Sequence, residues 1–189
     1  MKRQEGEPVA AAVVPLPSTE SREILSQLFA EHHRRVLVAA YRITGSMVDA
    51  EDVAQGVFLR LAGTGSASVT NARSYLYRAA INGALDLLRR RKAAPTEPLE
   101  GAAGVASTLV WSSPERGASS RELGGWLRAA MSELAPRAAE MFALRYLEGL
   151  GNREIAVLMG TSQAVVAVTL HQTRSKLKKR LREFERETQ

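Results

Sequence analysis

Apolar residues between Ser21 and Thr44 recur at the spacing of one helix face: Ile24, Leu25, Leu28, Phe29, Val36, Leu37, Ala40 and Ile43. They predict a first helix, which Gly45 is placed to end. A second helix follows from Ser46, whose hydroxyl suits an N-cap, with Asp49 three residues on as a weaker capping partner than Glu. Its apolar stripe is Val53, Val57, Phe58 and Leu61, and its other face presents Glu51, Asp52, Gln55 and Arg60. Gly56 lies inside this helix, where it costs about 1 kcal/mol relative to Ala. Residues 62–70 are small and polar and predict a loop. Asn71 then caps a third helix carrying Tyr75, Leu76, Ala79, Ala80, Leu85 and Leu88. That helix ends in Arg89, Arg90, Arg91 and Lys92, cations that oppose the negative end of the helix dipole.

The periodicity stops over residues 93–113, where Pro95, Pro98, Gly101 and Gly104 mark a linker. Ser113-Pro114 suits a new helix start. Leu123, Leu127, Ala130, Met131 and Leu134 form one helix face. Pro136 opens another helix, through Met141, Phe142, Leu144 and Tyr146, which Gly149 and Gly151 close. A short helix from Asn152 to Met159 and a longer one from about Gln163 complete the chain, with no strand and no repeat. The fold class predicted is all-α: two small helical domains joined by a flexible linker. The expected divisions are a mobile leader over 1–18, a first domain over 19–92, the linker over 93–113 and a second domain over 114–185.

Chemistry enters at Asn152–His171, NREIAVLMGTSQAVVAVTLH. Asn152 can cap the first helix, Ile155 and Leu158 face inward, and Ala156 is small enough for two helices to cross closely. Gly160 supplies the turn, Ser162 caps the next helix, and Val166 and Leu170 hold that helix against the first. This is the pattern of a helix-turn-helix, whose second helix enters the major groove of DNA. An ordinary helical hairpin shares much of it, so the neighbouring charge matters. Arg174, Lys176, Lys178, Lys179, Arg180 and Arg182 follow at once, able to neutralise phosphates.

Composition agrees: 26 Lys and Arg against 20 Asp and Glu give a net charge of +6, a balance that attracts polyanions. The absence of cysteine excludes a disulfide scaffold and a cysteine-based zinc finger. No apolar run approaches the roughly 20 residues of a membrane span, so no membrane insertion is expected. The apolar stretch Val9–Leu16 follows Glu5 and Glu7 and contains Pro15, unlike a signal peptide. His32, His33 and His171 have no Cys or acidic cluster beside them, so no metal site is expected. No nucleophile–base pair or phosphate-binding glycine loop is present, so neither a cofactor nor an enzymatic activity is predicted.

Three segments then carry a resemblance. Asp49–Ala62, DAEDVAQGVFLRLA, resembles the core-polymerase-binding segment of sigma factors. Arg73–Lys92, RSYLYRAAINGALDLLRRRK, looks like the promoter-melting helix that follows it. Leu134–Leu177 is similar to the sigma domain that recognises the upstream promoter element. Their order and the linker match the two-domain extracytoplasmic-function (ECF) sigma factors over about residues 21–182. The resemblance implies a cytoplasmic transcription initiation factor with core RNA polymerase and promoter DNA as partners; an anti-sigma factor is a further candidate. It implies polymerase contacts at Asp49, Glu51, Asp52, Gln55 and Phe58, although Phe58 also fits the core. Downstream-element contacts are implied at Tyr75, Arg78, Asn82, Asp86, Arg89 and Arg90, and the loop at 62–70 is the expected pocket for an unstacked base. Upstream-element contacts are implied at Ser162, Gln163, Val165, Ala167, Val168, Thr169, His171, Gln172, Arg174 and Lys176.

Two departures keep alternatives open. Gly56 stands where the family usually has Glu, which removes a carboxylate from the polymerase-facing helix. The reading helix has Val165, Ala167 and Val168 where cations are common, and these offer only apolar contact, for example to thymine methyls. Base reading then rests on Gln163, Thr169, His171, Gln172 and groove shape. A sigma-like protein that binds an anti-sigma factor without reading promoters, or a stand-alone helix-turn-helix regulator, fits the same pattern less fully.

Overall fold

The computed structural model describes residues 19–64, 71–93 and 117–187. Among these it is all-helical: α1 (Thr19–Thr44), α2 (Met47–Thr64), α3 (Ala72–Ala93), α4 (Gly117–Ser132), α5 (Pro136–Phe142), α6 (Asn152–Leu158) and α7 (Gln163–Glu187). The expected leader, and the expected linker beyond Ala93 where α3 ends, lie outside the described residues, as does most of the base pocket at 62–70; α2 itself runs on to Thr64. No single described helix is long and apolar enough to cross a membrane.

Helices α1, α2 and α3 pack through the stripes read above. Val36, Ile43, Val57, Leu61, Leu76, Ile81 and Leu85 are fully buried, and Ala40, Ala50, Ala80 and Ala84 let the backbones approach closely. Three predicted caps form. Ser46 Oγ accepts the Asp49 N–H at 3.4 Å, Asn71 Oδ1 the Ser74 N–H at 3.0 Å and Ser162 Oγ the Val165 N–H at 3.2 Å. Gly45 ends α1 at φ +69°, and the guanidinium of Arg128 from α4 lies against it where any Cβ would stand. At Gly56 a Cβ would meet nothing within 4 Å. Gly56→Ala is therefore expected to stabilise the protein by about 0.5–1 kcal/mol, by removing backbone entropy from the unfolded chain. A chemical-denaturation midpoint unchanged or lowered in this variant would contradict that.

Two local expectations are corrected. Asn152 is the first residue of α6, not its cap; Gly151 occupies the cap position, and its N–H donates to the Glu154 carboxylate at 2.6 Å. The helix opened by Pro136 does not stay α-helical to Tyr146. It widens into a π-turn over Ala143–Leu147, with the Glu148 N–H reaching back to the Ala143 carbonyl at 3.2 Å. Gly149, at φ +74°, then ends it, and the Leu150 N–H returns to the Leu144 carbonyl at 3.0 Å.

The two helical units pack against each other, and the buried side chains of α1–α3 join those of α4–α7 in one cluster. Charged side chains clamp the seam. Arg78 of α3 donates from Nε to Glu140 of α5 at 2.6 Å and from Nη1 to the Leu158 carbonyl at the end of α6 at 3.1 Å. Arg42 of α1 donates from Nη1 to Glu148 at 2.7 Å and to the Leu147 carbonyl at 3.1 Å, binding the open end of the π-turn. Burial and the Glu148 carboxylate beside it push the Tyr77 phenol well above its ordinary range. Glu133, after α4, joins Lys92 of α3 to Arg180 of α7, and the Lys92 hydrogen bond leads in holding its carboxyl below the usual range.

Candidate nucleic-acid interface and polymerase-docking face

The helix-turn-helix forms as the spacing predicts. Helices α6 and α7 meet at a bend of 111°, within the range of about 90–120° for this motif. Gly160 takes φ +59° in the turn, and the Thr161 N–H bonds the Ala156 carbonyl at 2.9 Å. Ile155 of α6 and Val166 and Leu170 of α7 are buried between the helices. The opposite face of α7 is open: Gln163, Ala164, Val165, Ala167, Val168, His171 and Gln172 are all exposed. Of the expected set, Ser162 caps the helix rather than presenting a free hydroxyl, and Thr169 is half-buried. Arg174 and Lys176 are exposed beyond the apolar turns, with Lys178, Lys179 and Arg182. Arg180 is drawn back to Glu133.

The residues expected on α3 are divided. Tyr75 is half-buried and packs on the core. Arg78 is engaged at the seam by a Glu140 that is only 5% exposed. Asp86 and Arg89 pair with each other at 2.7 Å across one helical turn. Asn82 is half-buried and Arg90 is exposed.

On α2 the expected set also splits. Glu51, Asp52 and Gln55 are exposed, as their spacing predicts. Asp49 is only 4% exposed and is gripped by Arg91 of α3 through two bonds of 2.5 Å. Phe58 is buried, its ring edge-on to Phe29 at 4.9 Å. Asp49 and Phe58 therefore hold α2 in place and do not stand on its open face. Sequence reading missed Val48 and Leu59, exposed by 68% and 65%. Val48, Asp52, Gln55 and Leu59 are spaced four, three and four apart, so they line one side of the helix. That spacing was visible in the sequence, but neither residue belongs to the apolar stripe of Val53, Val57, Phe58 and Leu61 or to the polar face read opposite it. Among the described residues no group of three His, Cys, Asp or Glu could hold a metal ion.

Known proteins resolve what this pairing of an open α2 face with a helix-turn-helix belongs to. The sigma-70 region 2 family matches residues 28–94, and the sigma-70 region 4 family matches residues 124–177. The chain belongs to the sigma-70 family. The region 2 match contains α2 and α3, and the region 4 match contains the helix-turn-helix through Leu177 of α7. Among its relatives, the ECF RNA polymerase sigma factor SigE of Mycolicibacterium smegmatis is 32% identical over 168 residues, covering 86% of this chain and 63% of the relative. SigG of Mycobacterium tuberculosis is 31% identical over 183 residues, covering 85% and 50%. SigW of Bacillus subtilis is 26% identical over 160 residues, covering 79% and 84%. This sigma-family chain thus spans between half and two-thirds of the length of the two mycobacterial relatives.

Proposed function

We propose that this chain is an RNA polymerase sigma factor that docks on core polymerase and directs it to specific promoters. The observation that carries the reading is the coexistence of two open faces. Val48, Asp52, Gln55 and Leu59 give α2 an apolar stripe with acidic and amide groups within it, suited to a basic helical partner. Helix α7 gives an accessible reading face followed by cations, suited to a DNA groove and its phosphates. The names of the relatives support the same reading. In this reading the protein acts in the cytoplasm, contributes no chemistry of its own and steers that of the polymerase. On α3, Arg90 and the Asp86–Arg89 pair are the groups available to promoter DNA while Arg78 serves the seam. The exposed valines of α7 favour a second reading, in which this face takes a protein such as an anti-sigma factor.

Core affinity tests the α2 assignment. Replacing Asp52 and Leu59 together with Ala is expected to weaken binding to purified core polymerase at least tenfold in a fluorescence titration. Both side chains are exposed, so folding is expected to stay within about 0.5 kcal/mol of the parent. Unchanged core affinity would count against the docking face.

A further inference from the structure

On the open face of α7, Val165 and Val168 are exposed by 48% and 57%, with Ala164 and Ala167 beside them. Residues three apart on a helix are neighbours about 5–6 Å apart, so the two valines form one continuous methyl surface. No cation occurs in α7 before Arg174, and no acidic residue occurs before Glu183. Between them Arg174, Lys176, Lys178, Lys179 and Arg182 are exposed. This charge distribution commits the surface to a polyanion. At 1.5 Å per residue, the cations begin about 9 Å beyond Val168 along the helix, a distance comparable to the roughly 12 Å width of the major groove. The apolar turns can thus enter the groove while the cations remain at its phosphate rim.

Within the groove a methyl surface has one favourable counterpart, the 5-methyl group of thymine. Pressed on guanine, cytosine or the amino edge of adenine, the valines would remove water from donors and acceptors and return no hydrogen bond. We propose that Val165 and Val168 make this protein select its upstream promoter element by thymine methyl groups, with Gln163 and Gln172 as the flanking polar readers. The selectivity rests on the sigma-factor reading above and specifies what α7 recognises. Successive base pairs lie 3.4 Å apart, so the valine spacing places the two thymines within about three base pairs. Burying one methyl group is worth about fourfold in affinity, and two together about fifteenfold.

Uracil pairs as thymine does and lacks only the methyl group, so it isolates this contact. The experiment uses holoenzyme, assembled from the full chain and core polymerase, on a promoter from which it initiates. Thymines of the upstream element are replaced singly and in pairs by uracil, and holoenzyme affinity is measured. The proposal predicts about a fourfold loss at each thymine facing a valine and no loss from uracil elsewhere in the element. In the variant carrying Val165→Ala and Val168→Ala, folded by circular dichroism, the uracil penalty should shrink to less than twofold. Equal affinity for thymine and uracil templates would overturn it. So would a penalty that persists undiminished in the alanine variant, or full promoter affinity with both valines replaced by serine, which would give this face to a protein. Failure to initiate at any promoter would sink the sigma-factor reading itself, and this selectivity with it; a promoter read without methyl dependence would sink only the selectivity.

Discussion

Replacing Arg78 with alanine is expected to lower the unfolding free energy by about 2–3 kcal/mol, and the melting temperature by about 5–10 °C. The effect comes from what remains behind. Glu140 is 5% exposed, and the Arg78 guanidinium at 2.6 Å is the cation that partners it across the seam. The same side chain also satisfies the Leu158 carbonyl at the end of α6. Removing it strands a carboxylate and a helix-terminal carbonyl in a poorly hydrated place. Arg78 itself is about one-third exposed, which places the expected loss below that of a fully buried pair. Two companion variants separate this cause from a loss of packing. Glu140→Gln should cost less than Arg78→Ala, because it removes the buried charge itself and leaves behind only the Arg78 guanidinium, which water can still reach. Adding Glu140→Leu to Arg78→Ala should recover part of the loss, because neither charge then remains buried. A melting temperature for Arg78→Ala within about 1 °C of the parent would contradict the account of the seam.

Arg91→Ala is expected to cost about 2 kcal/mol, measured by urea denaturation, for a related reason. Asp49 is only 4% exposed and accepts two short bonds from Arg91. It also lies in the first turn of α2, where the helix dipole favours a negative charge and softens the loss. The contrast with Asp52, one turn along the same helix, is instructive. Asp52→Ala should leave stability within about 0.5 kcal/mol and change polymerase affinity. Arg91→Ala should change stability and alter affinity only as far as the unfolded fraction grows. If Arg91→Ala left stability unchanged while abolishing core binding, Asp49 and Arg91 would belong to the docking face after all.

The caps at Ser46, Asn71 and Ser162 and the turns at Gly45 and Gly160 were legible because they depend on neighbours within a few residues. The apolar stripes that build the core were legible because helical period fixes them. What was not legible depends on chain meeting chain. Arg78 and Glu140 are 62 residues apart, and Asp49 and Arg91 are 42 apart. No local pattern says that a basic residue on α3 will be spent on another helix. For the same reason Asp49 read as a capping partner and a polymerase contact, and Val48 and Leu59 passed unnoticed until their exposure was known. The π-turn after Phe142 was equally hidden, since Ala143–Leu147 has the composition of ordinary helix.

In the proposed function the two faces serve one act, promoter-directed initiation. Run-off transcription with purified core polymerase and the full chain, over a genomic promoter library, tests it most directly. The expected result is a set of discrete start sites that depend on the chain and share an upstream element containing the thymines facing α7. Transcription no different from that of core polymerase alone, with an active core and folded protein, would contradict it.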